Sequence, residues 1–113
     1  MNTEVFLVTV PDIQTAKNIA TTLLNEKLIA CANIVPAIES LYIWQGKLEN
    51  HQEALMIIKS SYSLLRKLEK RLAELHPYDT PEIIAVAPER VFKPYEKWVI
   101  ESVAGSKKRV KDS

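Results

Sequence analysis

The chain has 113 residues, of which 47% are hydrophobic and 26% are charged, and its formal net charge is +1. This length and composition are typical of one globular domain and exclude an extensively disordered chain. The near balance of 15 basic and 14 acidic residues excludes a bulk electrostatic hold on nucleic acid. A single cysteine, Cys31, excludes an internal disulfide, and no apolar run is long enough to cross a membrane. We therefore expect a cytoplasmic protein.

The first predicted elements are a strand and a helix. Val5 to Val10 is β-branched and apolar and ends at Pro11, which predicts a strand covered on both faces. Asp12 then stands at an N-cap position, and apolar residues follow it at helical spacing. We place the first helix at about residues 13 to 26.

A long β-hairpin is predicted from Ala30 to Lys59. Gln45-Gly46-Lys47 predicts its turn, because Gly46 can adopt the positive φ that a tight hairpin requires. Pro36 cannot donate a hydrogen bond to a neighbouring strand, so it predicts a bulge or an edge in the first arm. Arms of about 14 or 15 residues would span nearly 50 Å, against a diameter of roughly 35 Å for a domain of this size.

The tip of this hairpin is apolar on both sides. Strand alternation points Leu41 and Ile43 one way, and Tyr42 and Trp44 the other. One side can meet the domain's own helices, while the other leaves an apolar patch of the kind that marks an interface. We therefore expect self-association. The alternative is that residues after the last helix fold back over the patch.

The second half of the chain predicts a helix, a strand and a short third helix. Ser61 or Ser63 caps the second helix, a stripe of leucines forms its buried face, and His76-Pro77 ends it. Glu82 to Ala87 is the next strand. Pro94 suits the first turn of the third helix, in which the following residues share a face before Gly105 ends it: Tyr95, Trp98, Val99 and Ser102.

These elements predict a mixed domain of the α/β (α+β) class. Its element order is the ferredoxin-like β-α-β-β-α-β. It has a long hairpin between its second and third strands and an added C-terminal helix. We assign residues 1–105 to this single domain. Residues 106–113 form a basic tail with four cationic side chains, which we expect to serve solubility. The alternative is a contact with nucleic acid or with acidic partners.

Several segments together resemble a known family. Ala30 to Pro36, Leu41 to Glu49 and His76 to Ile84 resemble the signature of the CutA family of divalent-cation tolerance proteins. Shorter matches are Pro11-Asp12, Leu55 to Lys59, and the Tyr-x-x-Trp spacing of Tyr95 and Trp98. The resemblance covers about residues 4 to 103. It implies a ferredoxin-like protomer, a homotrimer held by the long hairpins, a role in tolerance to divalent cations, and copper binding in some members.

The resemblance leaves the ligand open. The implied trimer is similar to that of the PII signal proteins, so the alternative to a metal is a small molecule or a partner protein. In bacterial relatives with a proposed copper site, the ligands are a cysteine in the first strand and two consecutive histidines before the proline. Here those positions hold Val8 and Leu75, and only His76 is retained.

His76 is therefore the candidate metal ligand. Asp79 and Glu82 lie shortly after it, and imidazole with carboxylates suits copper or zinc. The alternative is structural, because a donor at the C-terminus of a helix meets free carbonyl groups. His51, between Glu49 and Glu53, is a weaker candidate for a surface metal, and an exposed polar hairpin tip is its simpler interpretation.

A second candidate site is a cleft between subunits. Its predicted members are the aromatic side chains of Tyr42, Trp44, Tyr78 and Trp98, together with Cys31, Lys59 and Glu82. Pockets at subunit junctions bind small molecules. The alternative is plain packing, since aromatic residues are enriched at interfaces.

No group of residues indicates catalysis or RNA binding. An acylphosphatase on this fold needs an arginine-bearing phosphate cradle after the first strand, and Thr9 to Asp12 contains neither arginine nor glycine. An RNA-recognition module presents aromatic side chains on its third strand, and Ala54 to Lys59 contains none. We therefore expect a binding protein and not an enzyme.

Overall fold

The computed structural model of the chain describes residues 2–105, and the predicted basic tail lies outside the described residues. The elements in chain order are β1 (Thr3–Val10), α1 (Ile13–Asn25), β2 (Cys31–Trp44), β3 (Lys47–Ser61), a 3-10 turn (Tyr62–Leu64), α2 (Leu65–Leu75), β4 (Ile83–Val86) and α3 (Lys93–Val103). The four strands form one antiparallel sheet in the order β2-β3-β1-β4. The predicted ferredoxin-like α+β fold with an added C-terminal helix is confirmed.

Helix α1 begins where its capping residue predicts. The Asp12 carboxylate accepts a hydrogen bond of 2.8 Å from the Thr15 backbone N–H, and this bond lowers the pKa of Asp12. The helix ends at Asn25, one residue before the predicted end, and Lys27 follows with a φ of 58°. Strand β4 is likewise shorter than predicted, by one residue at each end.

One face of the sheet carries the hydrophobic core. Alternate residues of β1 and β3 point toward α1 and α2 and are fully buried there: Phe6, Val8, Val10, Ala54, Met56 and Ile58. Leu68 and Leu72 of α2 complete this layer. An ion pair links the two helices, because the Arg71 guanidinium donates to Glu26 at 2.7 Å and to Glu74 at 3.2 Å.

The opposite face of the sheet, here called the open face, is covered only at one end. There α3 packs Val99 and Val103 against Ala30 and Leu64. Farther along, Ile84 and Val86 of β4 remain exposed. The prediction that β1 is covered on both faces is therefore confirmed in full only for the face under α1 and α2. On the open face, Val5 and Leu7 are half-buried, because α3 covers only one end.

The hairpin of β2 and β3 is as long as predicted. Its arms contain 14 and 15 residues, and the longest dimension of the molecule is 47 Å. Gln45 and Gly46 form a two-residue turn with φ of 51° and 80°. Both central residues therefore adopt the positive φ of a type I′ turn. The predicted bulge at Pro36 is confirmed by a register shift between Val35 and Ile38.

Within the chain, neither side of the hairpin tip meets the helices, which corrects the expectation that one side would. The exposed fractions are 62% for Leu41, 66% for Ile43, 60% for Trp44 and 68% for Leu48. The reason is length, since the 13 residues of α1 span only about 20 Å. The hairpin extends well past the last helical turn.

None of the three helices between residues 2 and 105 has the length and apolar character that crossing a membrane requires.

Candidate functional site

The bulge at Pro36 determines which side chains share the open face. Between Val35 and Ile38, β2 advances three residues while β3 advances two, from Leu55 to Glu53. The extra residue reverses the alternation of β2. Odd-numbered residues before the bulge, such as Cys31, therefore lie on the same face as even-numbered residues beyond it, including Tyr42 and Trp44.

A first group of predicted site residues lies at the covered end of the open face. Cys31 and Lys59 face each other across β2 and β3, and the Lys59 ammonium donates a hydrogen bond to the Asn33 side-chain oxygen. The Cys31 sulfur lies 3.5 Å from the Tyr95 hydroxyl. The Tyr95 ring in turn packs against Trp98, with ring centroids 5.7 Å apart.

Burial and the adjacent thiol change the acidity of this tyrosine. Removal from water is the larger cause and the hydrogen bond with Cys31 is the smaller one. Together they raise the pKa of Tyr95 to about 12. The phenol therefore keeps its proton at neutral pH and cannot serve as a base for the thiol. A cysteine nucleophile needs such a base or another cause of thiolate formation.

A second group lies on the hairpin and the loop that follows α2. The Tyr42 ring stacks on His51 with centroids 5.8 Å apart, and His51 Nε2 lies 3.1 Å from a Glu49 oxygen. The Tyr78 hydroxyl donates to Glu53 at 2.8 Å. Burial, then this bond to the carboxylate, raises the pKa of Tyr78 to about 12. Glu53, one of the two carboxylates predicted beside His51, thus accepts from Tyr78.

These two groups are far apart within one chain. Lys59 pairs with Cys31, and Glu49 pairs with Tyr42, so ten positions along β3 separate Cys31 from Tyr42. At the rise of an extended strand this is about 33 Å. Trp44 lies still farther out at the tip, and Glu82 is exposed just before β4. One copy of the chain therefore does not assemble the predicted cleft by itself.

His76 is held by two backbone groups. It is the C-cap residue of α2 and is only 7% exposed. Its Nε2 lies 2.7 Å from the Thr9 carbonyl oxygen, and its Nδ1 accepts from the Tyr78 N–H at 3.1 Å. This pattern assigns the ring proton to Nε2. The ring thus ties the end of α2 to the end of β1, and not to the free carbonyls of its own helix as the structural interpretation expected.

The surroundings of His76 offer few further ligands. Within residues 2–105, no three histidine, cysteine, aspartate or glutamate side chains are grouped so that they could hold a metal ion. Val8, where the resemblance would place a cysteine ligand, is fully buried in the core. Leu75 packs partly buried against the same core. Whether His76 binds a metal stays a prediction.

Three residues outside these predictions line a cavity at the start of β1. Thr3 and Glu4 are buried there, and Glu96 of α3 accepts a hydrogen bond of 2.8 Å from the Thr3 backbone N–H. The sequence contains one signal for this arrangement. Glu4 lies on the same face of β1 as Phe6, Val8 and Val10, where a carboxylate is unexpected.

Comparison with known proteins gives a consistent result. The family model for the CutA1 divalent ion tolerance protein matches residues 4–102. The divalent-cation tolerance protein CutA of Thermus thermophilus is 41% identical over 99 residues, which are 88% of this chain and 96% of that protein. A chloroplastic CutA protein of Arabidopsis thaliana is 43% identical over 98 residues, 87% of this chain but only 54% of the plant protein. The crystal structure of CutA1 from Ehrlichia chaffeensis superposes with a TM-score of 0.88 at 34% identity, covering 90% of this chain and 95% of that one.

Proposed function

This chain belongs to the CutA1 divalent ion tolerance protein family, and we propose that it acts as a homotrimer that binds a ligand in the clefts between its subunits. The observation that carries the proposal is the apolar hairpin tip, which no element between residues 2 and 105 covers. Monomeric proteins rarely expose apolar patches of this kind, because covering them with another chain is favourable. A second copy of the chain is the partner that the family favours.

The separation of the two aromatic groups supports a cleft that is shared between copies. Cys31, Lys59 and Trp98 occupy one end of the open face, and Tyr42 and Trp44 lie on the hairpin. A hairpin that projects past its own domain can carry its aromatic side chains to the covered end of a neighbouring open face. Residues about 33 Å apart in one chain then meet in the assembly.

We propose binding without catalysis. Cys31 is the strongest nucleophile among these residues, and its hydrogen-bonding partner Tyr95 is a phenol whose raised pKa keeps it protonated at neutral pH. The lone cysteine also favours the cytoplasm as the location of this chain. The net charge of +1 and the absence of aromatic residues from Ala54 to Lys59 favour a ligand other than nucleic acid.

Copper is the ligand that the family suggests, and a small molecule or protein is the alternative. The geometry favours the alternative. A metal on His76 would have to replace the Thr9 carbonyl or the Tyr78 N–H as the partner of a ring nitrogen, and would leave that backbone group unsatisfied. Two of the ligand positions of bacterial relatives are apolar here, at Val8 and Leu75.

The oligomeric state tests the first part of the proposal. Light scattering of the purified chain over a range of concentrations should give a mass near three times 12.9 kDa. Dilution into the nanomolar range should leave that mass unchanged, because an interface built from the whole hairpin is large. A mass of one chain at all concentrations would contradict the proposal.

Calorimetry decides between copper and the alternative. The metal-free protein is titrated with copper(II), and His76→Ala serves as the comparison. We expect binding weaker than a dissociation constant of about 1 µM, with the same weak binding in the variant. Tighter binding that disappears in His76→Ala would instead identify His76 as a ligand. His51→Ala is the control for weak binding at the hairpin.

A further inference from the structure

Lys59 is a charged residue in the interior of the sheet. It lies on β3, which is an inner strand, between Cys31 of β2 and Val5 of β1. Residues that pair directly across neighbouring strands point to the same side of a sheet, so these three side chains share the open face. Lys59 is half-buried there. A lysine is unexpected at such a position, because its charge loses part of its contact with water.

The Lys59 ammonium group has no anionic partner in residues 2–105. Its hydrogen bond there goes to the side-chain oxygen of Asn33, which is neutral, and no described carboxylate forms an ion pair with it. Arg71 provides the comparison, since it is also half-buried and pairs with the carboxylates of Glu26 and Glu74. Lys59 therefore lacks the negative charge that the other half-buried cation has.

The polar groups around Lys59 can all donate to an anion. An ammonium group has three N–H donors, of which Asn33 uses one. Asn33 accepts through its oxygen, so its two N–H donors point to no acceptor among the described residues. The Tyr95 hydroxyl, 3.5 Å from the Cys31 sulfur, keeps its proton at neutral pH because its pKa is raised to about 12. A carboxylate only accepts hydrogen bonds and carries one negative charge, and it matches this set.

Two exposed rings indicate what the rest of the ligand is. The Trp98 and Tyr95 side chains pack against each other, and both remain partly open to solvent. Cys31 links them to Lys59, because it contacts the Tyr95 hydroxyl and pairs with Lys59 across the strands. Aromatic rings pack favourably in offset or tilted arrangements. A flat ring that carries a carboxylate can therefore use the cation and the rings together.

We propose that this end of the open face binds a small aromatic carboxylate, which accepts hydrogen bonds from Lys59 and Asn33 and packs its ring against Trp98. The Tyr95 hydroxyl is a third donor. The inference rests on the proposed cleft between subunits, since these residues are the part of that cleft that one copy contributes. It assigns the cleft an organic anion as its ligand and not a divalent cation, which the Lys59 charge repels.

Calorimetric titration of the full chain with benzoate at neutral pH and constant ionic strength tests this site. We expect saturable binding with a dissociation constant of about 1 mM or below. Lys59→Met removes the charge and should weaken binding roughly tenfold or more. Asn33→Asp should weaken it to a similar extent with Lys59 in place, because the new carboxylate pairs with the ammonium group and repels benzoate.

Matched controls separate the site from general charge and ring effects. Lys17→Met removes one charge from an exposed position of α1 and should bind benzoate as the unaltered chain does. Acetate lacks the ring, benzyl alcohol lacks the charge, and each should bind at least about tenfold more weakly than benzoate. The proposal is overturned by absent or unsaturable benzoate binding, by an equal loss in Lys17→Met, by equal binding of acetate or benzyl alcohol, or by unchanged binding in Lys59→Met and Asn33→Asp.

Light scattering of the same samples separates this inference from the proposed function. A mass of three chains without benzoate binding overturns the anion site and leaves the trimer in place. If Lys59→Met also separates that trimer, a carboxylate of a neighbouring copy is the partner of Lys59, and the anion site is again overturned. A mass of one chain that binds benzoate through Lys59 supports the anion site and contradicts the trimer.

Discussion

The part of the sheet beneath the helices and the tip of the hairpin carry similar apolar residues, which are buried in the first and exposed in the second. Beneath α1 and α2, leucine, isoleucine and valine side chains are fully buried within one chain. At the hairpin tip, Leu41, Ile43 and Leu48 are mostly exposed. Residue type does not separate the two sets, whereas the reach of the helices does. A hairpin longer than its covering helices leaves apolar surface that those helices do not bury.

Polar groups also differ between the two regions: near the helices they are buried and bonded to the backbone, and on the hairpin they are exposed. Near the helices they are used inside the chain, as when the buried Ser60 hydroxyl donates to the Leu28 carbonyl at 2.7 Å. The two histidines show the contrast most directly. His76 is buried between backbone groups, while His51 on the hairpin is exposed, lies beside the Glu49 carboxylate and stacks on the Tyr42 ring. The first histidine joins the end of α2 to the end of β1, whereas the second contacts neighbours on the hairpin.

The largest expected effect compares the same substitution in the two regions. Leu72→Ala leaves a cavity in the core and should lower the free energy of unfolding by about 3 kcal/mol. Leu48→Ala removes a side chain that is 68% exposed in the chain, so it should affect assembly and not the fold of the protomer. Urea unfolding at several protein concentrations measures both.

The concentration dependence identifies which region is affected. An assembly that unfolds to separate chains has a midpoint that rises with protein concentration. Leu72→Ala should lower the midpoint and keep this dependence, whereas Leu48→Ala should dissociate before it unfolds at low protein concentration and lose the dependence there. Identical behaviour of the two variants would remove the distinction between the regions.

A second prediction compares Trp44 with His76. Trp44→Ala removes the largest exposed side chain of the tip and should weaken assembly strongly, because aromatic anchors dominate interface energies. His76→Ala should leave assembly intact and instead destabilise the protomer, since it leaves the Thr9 carbonyl and the Tyr78 N–H unpaired. Analytical ultracentrifugation measures the first effect and thermal unfolding the second. Unchanged assembly in both variants would contradict the interface role of Trp44.

Local sequence patterns predicted the elements well because each has a local cause. Asp12 caps α1, Pro36 marks the bulge and Gly46 lies in the turn. The consequence of the bulge was not predictable in the same way. Proline shows that the ladder is interrupted, but only the pairing with β3 shows that one residue is inserted, and this insertion places Tyr42 on the face of Cys31.

The functional residues were harder to predict for a related reason. Tyr95 was recognised by its spacing from Trp98, but its contact with Cys31 joins residues 64 positions apart. Glu4 was not singled out, because a single carboxylate at the start of a strand is commonly exposed. In the structure it is only 4% exposed, on the same face of β1 as the core residues Phe6 and Val8.

The smallest expected effect is a loss of stability at high pH caused by two tyrosines, Tyr78 near the hairpin and Tyr95 at the covered end of the open face. Burial raises the pKa of both Tyr78 and Tyr95 to about 12, well above the ordinary value of a tyrosine. A group whose pKa is higher in the folded state stabilises the fold fully below its unfolded pKa, and this stabilisation is lost as the pH rises through the folded value. Stability should therefore decline between about pH 10 and pH 12.

Absorbance titration of the phenolates measures this directly. Tyr78→Phe and Tyr95→Phe should each remove one tyrosine from the part of the curve near pH 12. Cys31→Ala deletes the hydrogen bond to Tyr95 and should lower the pKa of Tyr95 while leaving Tyr78 unchanged, because Glu53 is the partner of Tyr78. A shift of both tyrosines in Cys31→Ala would mean that the two groups are coupled, and the independence inferred from their distance along β3 would be wrong.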